Sequence, residues 1–348
     1  MDFTFSEDQL LFRDSVRDFL VNEVTPERIR TSWDSENGRD DALWNQLAEM
    51  GLAGLTVPES HGGLGMSELD FVLLAEQCGY VALPEPLVNG VMIAAPLVSA
   101  IGGELADTWL PRLASGEARI VAGLGENLMV EDAHVADLLL LGEGDALYAL
   151  TPDQFTARHN ASVDPSRRLF AVSINDDIEP VLSGESASKL LHATMDRGAL
   201  AAAAQCLGLA QRMVDLSVAY SSDRQQFGKP IGSFQAVKHH MANVAVRLEY
   251  AKPAVHRAAC SIATGQASAA RHVSHAKLAA TEAANLAAKN AIQVHGAMGY
   301  TWEVDLHIFM KKAWALAGTW GDAGFHKSRV MDYLLDDGAV LGAAGTFQ

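Results

Sequence analysis

Along the first fifty residues the apolar positions recur at helical spacing. Leu10, Leu11, Val16, Phe19 and Leu20 follow Ser6, and Ser6 with Gln9 three residues on is the capping-box pattern that starts a helix. Asp41 to Met50 predicts a second helix, stopped at Gly51. The glycine-rich stretch from Gly51 to Gly65 reads as a loop, and Ser67 with Asp70 as the cap of a helix running to Gly79. Past residue 117 the rhythm changes. Ile120–Leu124, Leu138–Leu141, Ala146–Leu150 and Leu169–Ile174 are short β-type runs separated by turn residues, with the second expected to begin at Ala136-Asp137. Beyond 185 the helical pattern returns in long stretches: Lys189 to Ser222, Gln235 to Thr264 with Pro253 inside it, Ala267 to Gln293, and Trp302 to Ala317. Ala, Leu and Val repeat on one face of each, and Gln, Arg, Asp and Lys on the other, as antiparallel bundle helices require. The pattern predicts a mainly α protein with a small β-domain. It divides into an N-terminal helical domain (1–117), a middle β-domain (118–184) and a C-terminal four-helix bundle (185–348).

Composition narrows the function. The formal net charge of -17 over 348 residues makes a poor match for a nucleic-acid backbone or an anionic membrane surface, while leaving room for a local cationic pocket. Leu87 to Ile101, flanked by Pro86 and interrupted by Asn89 and Pro96, is too short to span a bilayer. The stretch from Met1 to Asp8 has no basic segment followed by an apolar run, so no signal peptide is expected. Cys78, Cys206 and Cys260 lie far apart without a CxxC, which reads as buried, reduced thiols in a cytoplasmic protein. His239 and His240 are adjacent on a helix and point apart, and nothing has zinc spacing, so no metal site is expected. Gly62-Gly63-Leu64-Gly65 has no GK[ST] after it and is not a phosphate cradle.

Two segments carry denser chemistry. Arg224-Gln225-Gln226-Phe227-Gly228-Lys229-Pro230-Ile231-Gly232-Ser233-Phe234-Gln235 follows the first long helix, and Gln293-Val294-His295-Gly296-Ala297-Met298-Gly299-Tyr300 ends the third. Taken singly, Arg224 is an ordinary cation at a helix C-terminus, and Gln293 to Gly296 an ordinary helix stop. Together they resemble the R-x-x-F-G-x-x-I-x-x-x-Q and Q-x-x-G-G-x-G-Y/F motifs of the acyl-CoA dehydrogenase family, in that family's order, with Gly51–Gly65 as a third match. The resemblance implies an acyl-CoA dehydrogenase-like fold, an acyl-CoA substrate undergoing α,β-desaturation, FAD as cofactor and an electron-transfer flavoprotein as acceptor. It places Arg224, Gln226, Phe227, Gln235, Gln293, Val294, Gly296 and Gly299 against the adenosine-diphosphate half of a neighbouring subunit's FAD. The residue types suit that task. A guanidinium forks onto phosphate oxygens, carboxamides donate and accept at ribose and adenine edges, and glycine lets backbone come close.

Two departures matter. The family's catalytic carboxylate falls, counting from Tyr300, on Trp320, or on Ala317 when Gly318-Thr319 is aligned. Its alternative position falls on Gly198. None is acidic. Asp196 is the nearby carboxylate, but two residues turn a helix by about 200°, so it faces elsewhere, and a helix-start Asp is its plainer reading. Trp320 reads either as core or as the filler of a dead pocket. In the middle domain, Gly123-Leu124-Gly125-Glu126-Asn127-Leu128 stands where the family has T-E-P-x-x-G-S-D, and no Trp occurs between Trp109 and Trp302. The β-domain therefore looks reduced in the loops that hold a subunit's own flavin.

Three readings follow. The first is a non-catalytic subunit that lends FAD-binding residues to a longer acyl-CoA dehydrogenase subunit in an α2β2 heterotetramer. In this it resembles the short subunits of bacterial enzymes of steroid degradation, a branch of lipid metabolism. The second is a self-sufficient homomeric dehydrogenase with an unusual base, Asp196 or Glu303. The third is a flavin-free protein that binds acyl-CoA or a partner.

Overall fold

The computed structural model describes residues 4–124, 129–336, 338–340 and 342. Two of the sequence readings, the start at Met1–Phe3 and the Gly125–Leu128 part of the middle-domain loop, lie outside the described residues. In chain order the helices are α1 (Glu7–Glu23), α2 (Pro26–Asp34), α3 (Asp41–Glu49) and α4 (Glu68–Tyr80), then a π-helical turn (Asn89–Ala94), α5 (Ala95–Ile101) and α6 (Gly103–Ala114). The strands are β1 (Ile120–Leu124), β2 (Met129–Glu131), β3 (Leu138–Glu143), β4 (Ala146–Leu150), β5 (Phe155–Asn160), β6 (Leu169–Ile174) and β7 (Leu182–Ser183). Next come α7 (Gly184–Asp223), the hairpin strands β8 (Gln225–Gln226) and β9 (Lys229–Pro230), α8 (Gln235–Ala263), α9 (Ala269–His295), α10 (Leu306–Gly318) and α11 (Ala323–Leu334).

The capping box at Ser6 forms as expected, with Gln9 N–H donating to the Ser6 hydroxyl at 3.2 Å and Ser6 N–H to Gln9 Oε1 at 2.9 Å. The expected strand at Ala136-Asp137 begins instead at Leu138, because Asp137 turns its N–H to Arg119 O (2.9 Å) and its carboxylate to Arg119 N–H (2.8 Å). Trp302 precedes its helix, which starts at Leu306. Helix α11 adds a fifth element to the C-terminal helices; its stripe is weak because His326 is its one fully buried residue.

The chain forms two compact units. One holds Met1–Pro26, Val72–Leu83 and Ala199–Gln348. Its centre is the α8–α9 pair: Ala276, Ala280, Ala283, Ala284, Ala287 and Ala291 make a flat stripe on α9 that lets backbones approach closely. Helices α10 and α11 also pack on α9. Cations from three elements gather at the C-terminus of α4, where the helix dipole favours them. Arg17 lies 4.5 Å over the Tyr80 ring, Arg212 5.2 Å over it, and Lys312 Nζ donates to Leu83 O at 2.7 Å.

The other unit holds Glu27–Phe71 and Pro84–Gly198. It contains a four-stranded sheet in the order β1-β3-β4-β7, with β1 parallel to β3, and a three-stranded antiparallel sheet β2-β6-β5. Val121, Leu139, Leu141 and Leu150 of the first meet Val130, Phe155, Phe170 and Val172 of the second in one apolar core. The free edge of β1 is covered by Asn89, whose Oδ1 accepts from Ala122 N–H (2.7 Å) and whose Nδ2 donates to Ala122 O (3.0 Å). A buried polar cluster ties the α2–α3 connection to the β loops. Arg39 pairs with Asp132 and donates to Ser166 O at 3.0 Å, and Glu85 Oε1 accepts Asp40 N–H at 2.8 Å. Cys78, Cys206 and Cys260 are free and buried, and burial pushes the Cys78 thiol up to about 12. Among the described residues no helix is long and apolar enough to cross a membrane.

Candidate functional site

Helix α7 ends at Asp223, and the chain turns directly into a hairpin. Gln225 pairs with Pro230 and Gln226 with Lys229. The two turn residues, Phe227 (φ 53°) and Gly228 (φ 75°), are both left-handed, the type I′ geometry that matches strand twist. Glycine takes that backbone freely. Phenylalanine does so at a cost of about 1–2 kcal/mol. Phe227 is nevertheless 91% exposed, its ring edge-on to Phe234 at a centroid distance of 6.1 Å. The ring's burial within the chain therefore offsets little of that backbone cost. The base of the hairpin is closed by Arg224 N–H to Tyr220 O (2.9 Å) and Ile231 N–H to Arg224 O (2.8 Å).

The second motif meets the first at the same end of its unit. Helix α9 stops at His295, Gly296 breaks away at φ 61°, and a short 3-10 turn carries Gly299 and Tyr300. The His295 ring stacks on Tyr220 at 4.4 Å and 23°, and His240 Nδ1 donates to Asn290 Oδ1 at 2.6 Å, so the ends of α7 and α9 and the start of α8 are tied together. Arg224, Gln226, Gln235 and Gln293 all stand exposed. Among the described residues the side chains of Arg224, Gln235 and Gln293 have no hydrogen-bond or ion-pair partner, while Gln226 Nε2 returns to Gln225 O at 2.8 Å. Val294 is buried in the bundle and Gly299 is packed against the Ile292 backbone, so these two shape the turn from beneath. Behind the hairpin, Val218, Ser221, Pro230, Val237, Lys238 and Met241 line an open groove of about 440 Å3.

This set fits one half of a dinucleotide cofactor. With such a cofactor bound, Arg224 would offer its guanidinium to a pyrophosphate, Phe227 an aromatic face, and Gln235 and Gln293 donor–acceptor edges. Nothing in the set offers redox or proton-transfer chemistry of its own. Among the described residues no three His, Cys, Asp or Glu side chains gather as a metal site.

The positions expected for a catalytic carboxylate are arranged differently. Trp320 sits in the α10–α11 turn with a left-handed backbone (φ 56°) and is half-buried, neither full core nor free. Its carbonyl accepts His326 Nε2–H at 3.0 Å, and His326 Nδ1 faces Ser274 Oγ at 3.1 Å. Burial holds His326 down at about 4, so it is neutral at physiological pH. Lys277, 1% exposed, reaches from α9 to donate to Leu316 O (2.5 Å) and Thr319 O (2.7 Å). The turn is thus pinned by a buried ammonium and a buried imidazole, and its one acid, Asp322, caps α11 by accepting Phe325 N–H at 2.8 Å. Ala317 lies in the last turn of α10, and Gly198 is buried within α7. Asp196 corrects the helix-start reading: α7 begins at Gly184, so Asp196 lies about three turns inside it. The next residue, Arg197, pairs with Glu68 at 3.0 Å. Glu303 is exposed.

Sequence reasoning missed Lys277, His326, Tyr220 and the packing role of His295. Lys277 could have been noticed as a lone cation in register with Val273, Ala280 and Ala284 on the apolar face of α9. The others gave no local signal.

Comparison with known proteins defines the class. Residues 6–117 match the acyl-CoA dehydrogenase N-terminal domain and residues 189–334 the acyl-CoA dehydrogenase C-terminal domain. The chain belongs to the acyl-CoA dehydrogenase family, oxidoreductases that act on the CH–CH group of acyl-CoA thioesters and that generally bind FAD. More particularly, it is 33% identical over 315 residues to the acyl-CoA dehydrogenase IpdE2 of Mycolicibacterium smegmatis, covering 88% of this chain and 93% of that one. Its fold is that of the Tcur3481-Tcur3483 steroid acyl-CoA dehydrogenase G363A variant (TM-score 0.85, 24% identity, 94% of this chain and 97% of that one). It is equally that of the ChsE4-ChsE5 complex from Mycobacterium tuberculosis (TM-score 0.85, 24% identity, 97% and 99%).

Proposed function

We propose that this chain is the non-catalytic subunit of a mixed FAD-dependent acyl-CoA dehydrogenase. It lends Arg224, Gln226, Phe227, Gln235, Gln293 and Gly296 to an FAD whose flavin end and catalytic carboxylate belong to a longer partner subunit in an α2β2 assembly. The observation that carries this reading is a contrast within one unit. Arg224, Gln235 and Gln293 are exposed and unpartnered at one end of the helices. Trp320 and Ala317, where a base is required, cannot take a proton. When bound, FAD supplies the hydride acceptor for desaturation. This chain's own part is to bind the phosphates through Arg224 and to orient the adenosine end with its carboxamides. The relatives support the setting. One solved structure is named as a steroid acyl-CoA dehydrogenase, and another as a complex of two differently named chains. A bulky steroid-CoA thioester is the substrate class, an electron-transfer flavoprotein the acceptor and the cytoplasm the place of action under this reading.

The test is the visible flavin spectrum of the chain purified alone and after co-expression with a full-length family member encoded beside it. Flavin that appears only with the partner, at one per pair of chains, and that Arg224→Ala strips, supports the lending role. Stoichiometric flavin on the chain alone overturns it.

A further inference from the structure

Tyr220 occupies an unusual junction. It is half-buried near the end of α7, and both its backbone and its ring serve the two motif segments. Its carbonyl accepts Arg224 N–H at 2.9 Å and so fixes where the hairpin leaves the helix. Its ring stacks on His295, two residues past Gln293, at 4.4 Å and 23°. His295 is in turn locked in place. It is 6% exposed, and its Nδ1–H donates to Ala291 O at 2.8 Å, which fixes the ring plane and the tautomer. His295 is also the last residue of α9, and the chain beyond it departs at Gly296. A helix end followed by a break frays unless something holds it.

We propose that Tyr220 and His295 are positioning residues for the dinucleotide: their stack sets the spacing between the Arg224 guanidinium and the Gln293 carboxamide. The inference rests on the lending role proposed above. Neither ring needs to touch the cofactor. A guanidinium and a carboxamide that must meet one ligand at two points lose affinity when their spacing fluctuates, although each remains present. The His240–Asn290 hydrogen bond ties α8 to the same end of α9, and the stack ties α7 to it.

The experiment is an FAD titration, by flavin fluorescence, of the deflavinated assembly purified with this chain. It is combined with a thermal melt and an elution profile for every variant. Tyr220→Leu removes the ring and is expected to raise the Kd for FAD roughly tenfold, the scale of one aromatic pair. Tyr220→Phe keeps the ring and should bind as the wild type. His295→Asn keeps a donor for Ala291 O but loses the ring, and should match Tyr220→Leu; it decides the matter if Tyr220→Leu does not fold. A purely structural role would lower the melting temperature and leave the Kd of the folded assembly unchanged. Wild-type affinity in both ring-less variants, alongside a clear Arg224→Ala defect, overturns the positioning role alone. An Arg224→Ala assembly that binds FAD normally overturns the lending role and this inference with it.

Discussion

Gly79 and Gly208 face across the contact of α4 with α7, each set against the other helix's backbone. A side chain on Gly79 would collide with the Gln205 carbonyl, and one on Gly208 with the Glu76 carbonyl and the Tyr80 amide. The obstacles are main-chain atoms that cannot rotate away, so the two helices are in backbone contact. Gly79→Ala or Gly208→Ala is expected to cost about 2–3 kcal/mol, the upper range for overpacking. A urea melt should show a lower midpoint for each, and a double variant short of the sum, because one separation of the helices relieves both clashes.

Lys277 offers a test of what holds the α10–α11 turn. Lys277→Met keeps the volume and removes the donor to Leu316 O and Thr319 O. Charged hydrogen bonds of this kind contribute about 1.5–3 kcal/mol, and the carbonyls are left without that donor. Amide exchange over residues 317–326 should speed up in the variant, with the hairpin at 225–230 unaffected.

Glu85 should make stability depend on pH in a direction unusual for a carboxylate. Burial pushes it up to about 7, against the opposing pull of Arg39 and Arg119, while Asp132 adds to the rise. Its Oε1 accepts Asp40 N–H, and its Oε2 stands 3.9 Å from Arg119 Nη2 without a hydrogen bond. A folded pKa above the unfolded one means the folded state favours the protonated acid. Its contribution is complete below the unfolded pKa of about 4.5 and is lost as pH rises through 7. The loss should be on the order of 3 kcal/mol between pH 5 and 8. Glu85→Gln, which cannot titrate, should flatten that part of the stability profile and be the more stable protein at pH 8.

Phe227 should show stability and function pulling apart. Phe227→Asn places a residue that tolerates the left-handed region at the first turn position. The isolated chain should gain about 1 kcal/mol in a thermal melt, and the flavin-bearing assembly should retain less FAD through dialysis.

The long C-terminal helices were legible because alanine repeats at helical spacing without interruption, and Pro253 did not break α8. The strands β2 and β5 were not. Met129–Glu131 is three residues long, and Phe155–Asn160 buries only Phe155, so neither shows alternation. The hairpin was hidden for a different reason: its first turn position carries Phe227 where Asn or Asp would have announced it. Of the candidate site, the Arg224 and Gln293 segments could be chosen from residue types and order. Their convergence through Tyr220 and His295 could not, since it depends on where two separate helices end.

The carboxamide of Asn89 has a wider consequence. It satisfies both main-chain groups of Ala122 on the outer side of β1, so that strand offers no open pair there to an incoming chain. A peptide cannot extend the four-stranded sheet at that point without first prising the side chain off. An Asn89→Leu chain should be the one that aggregates on refolding.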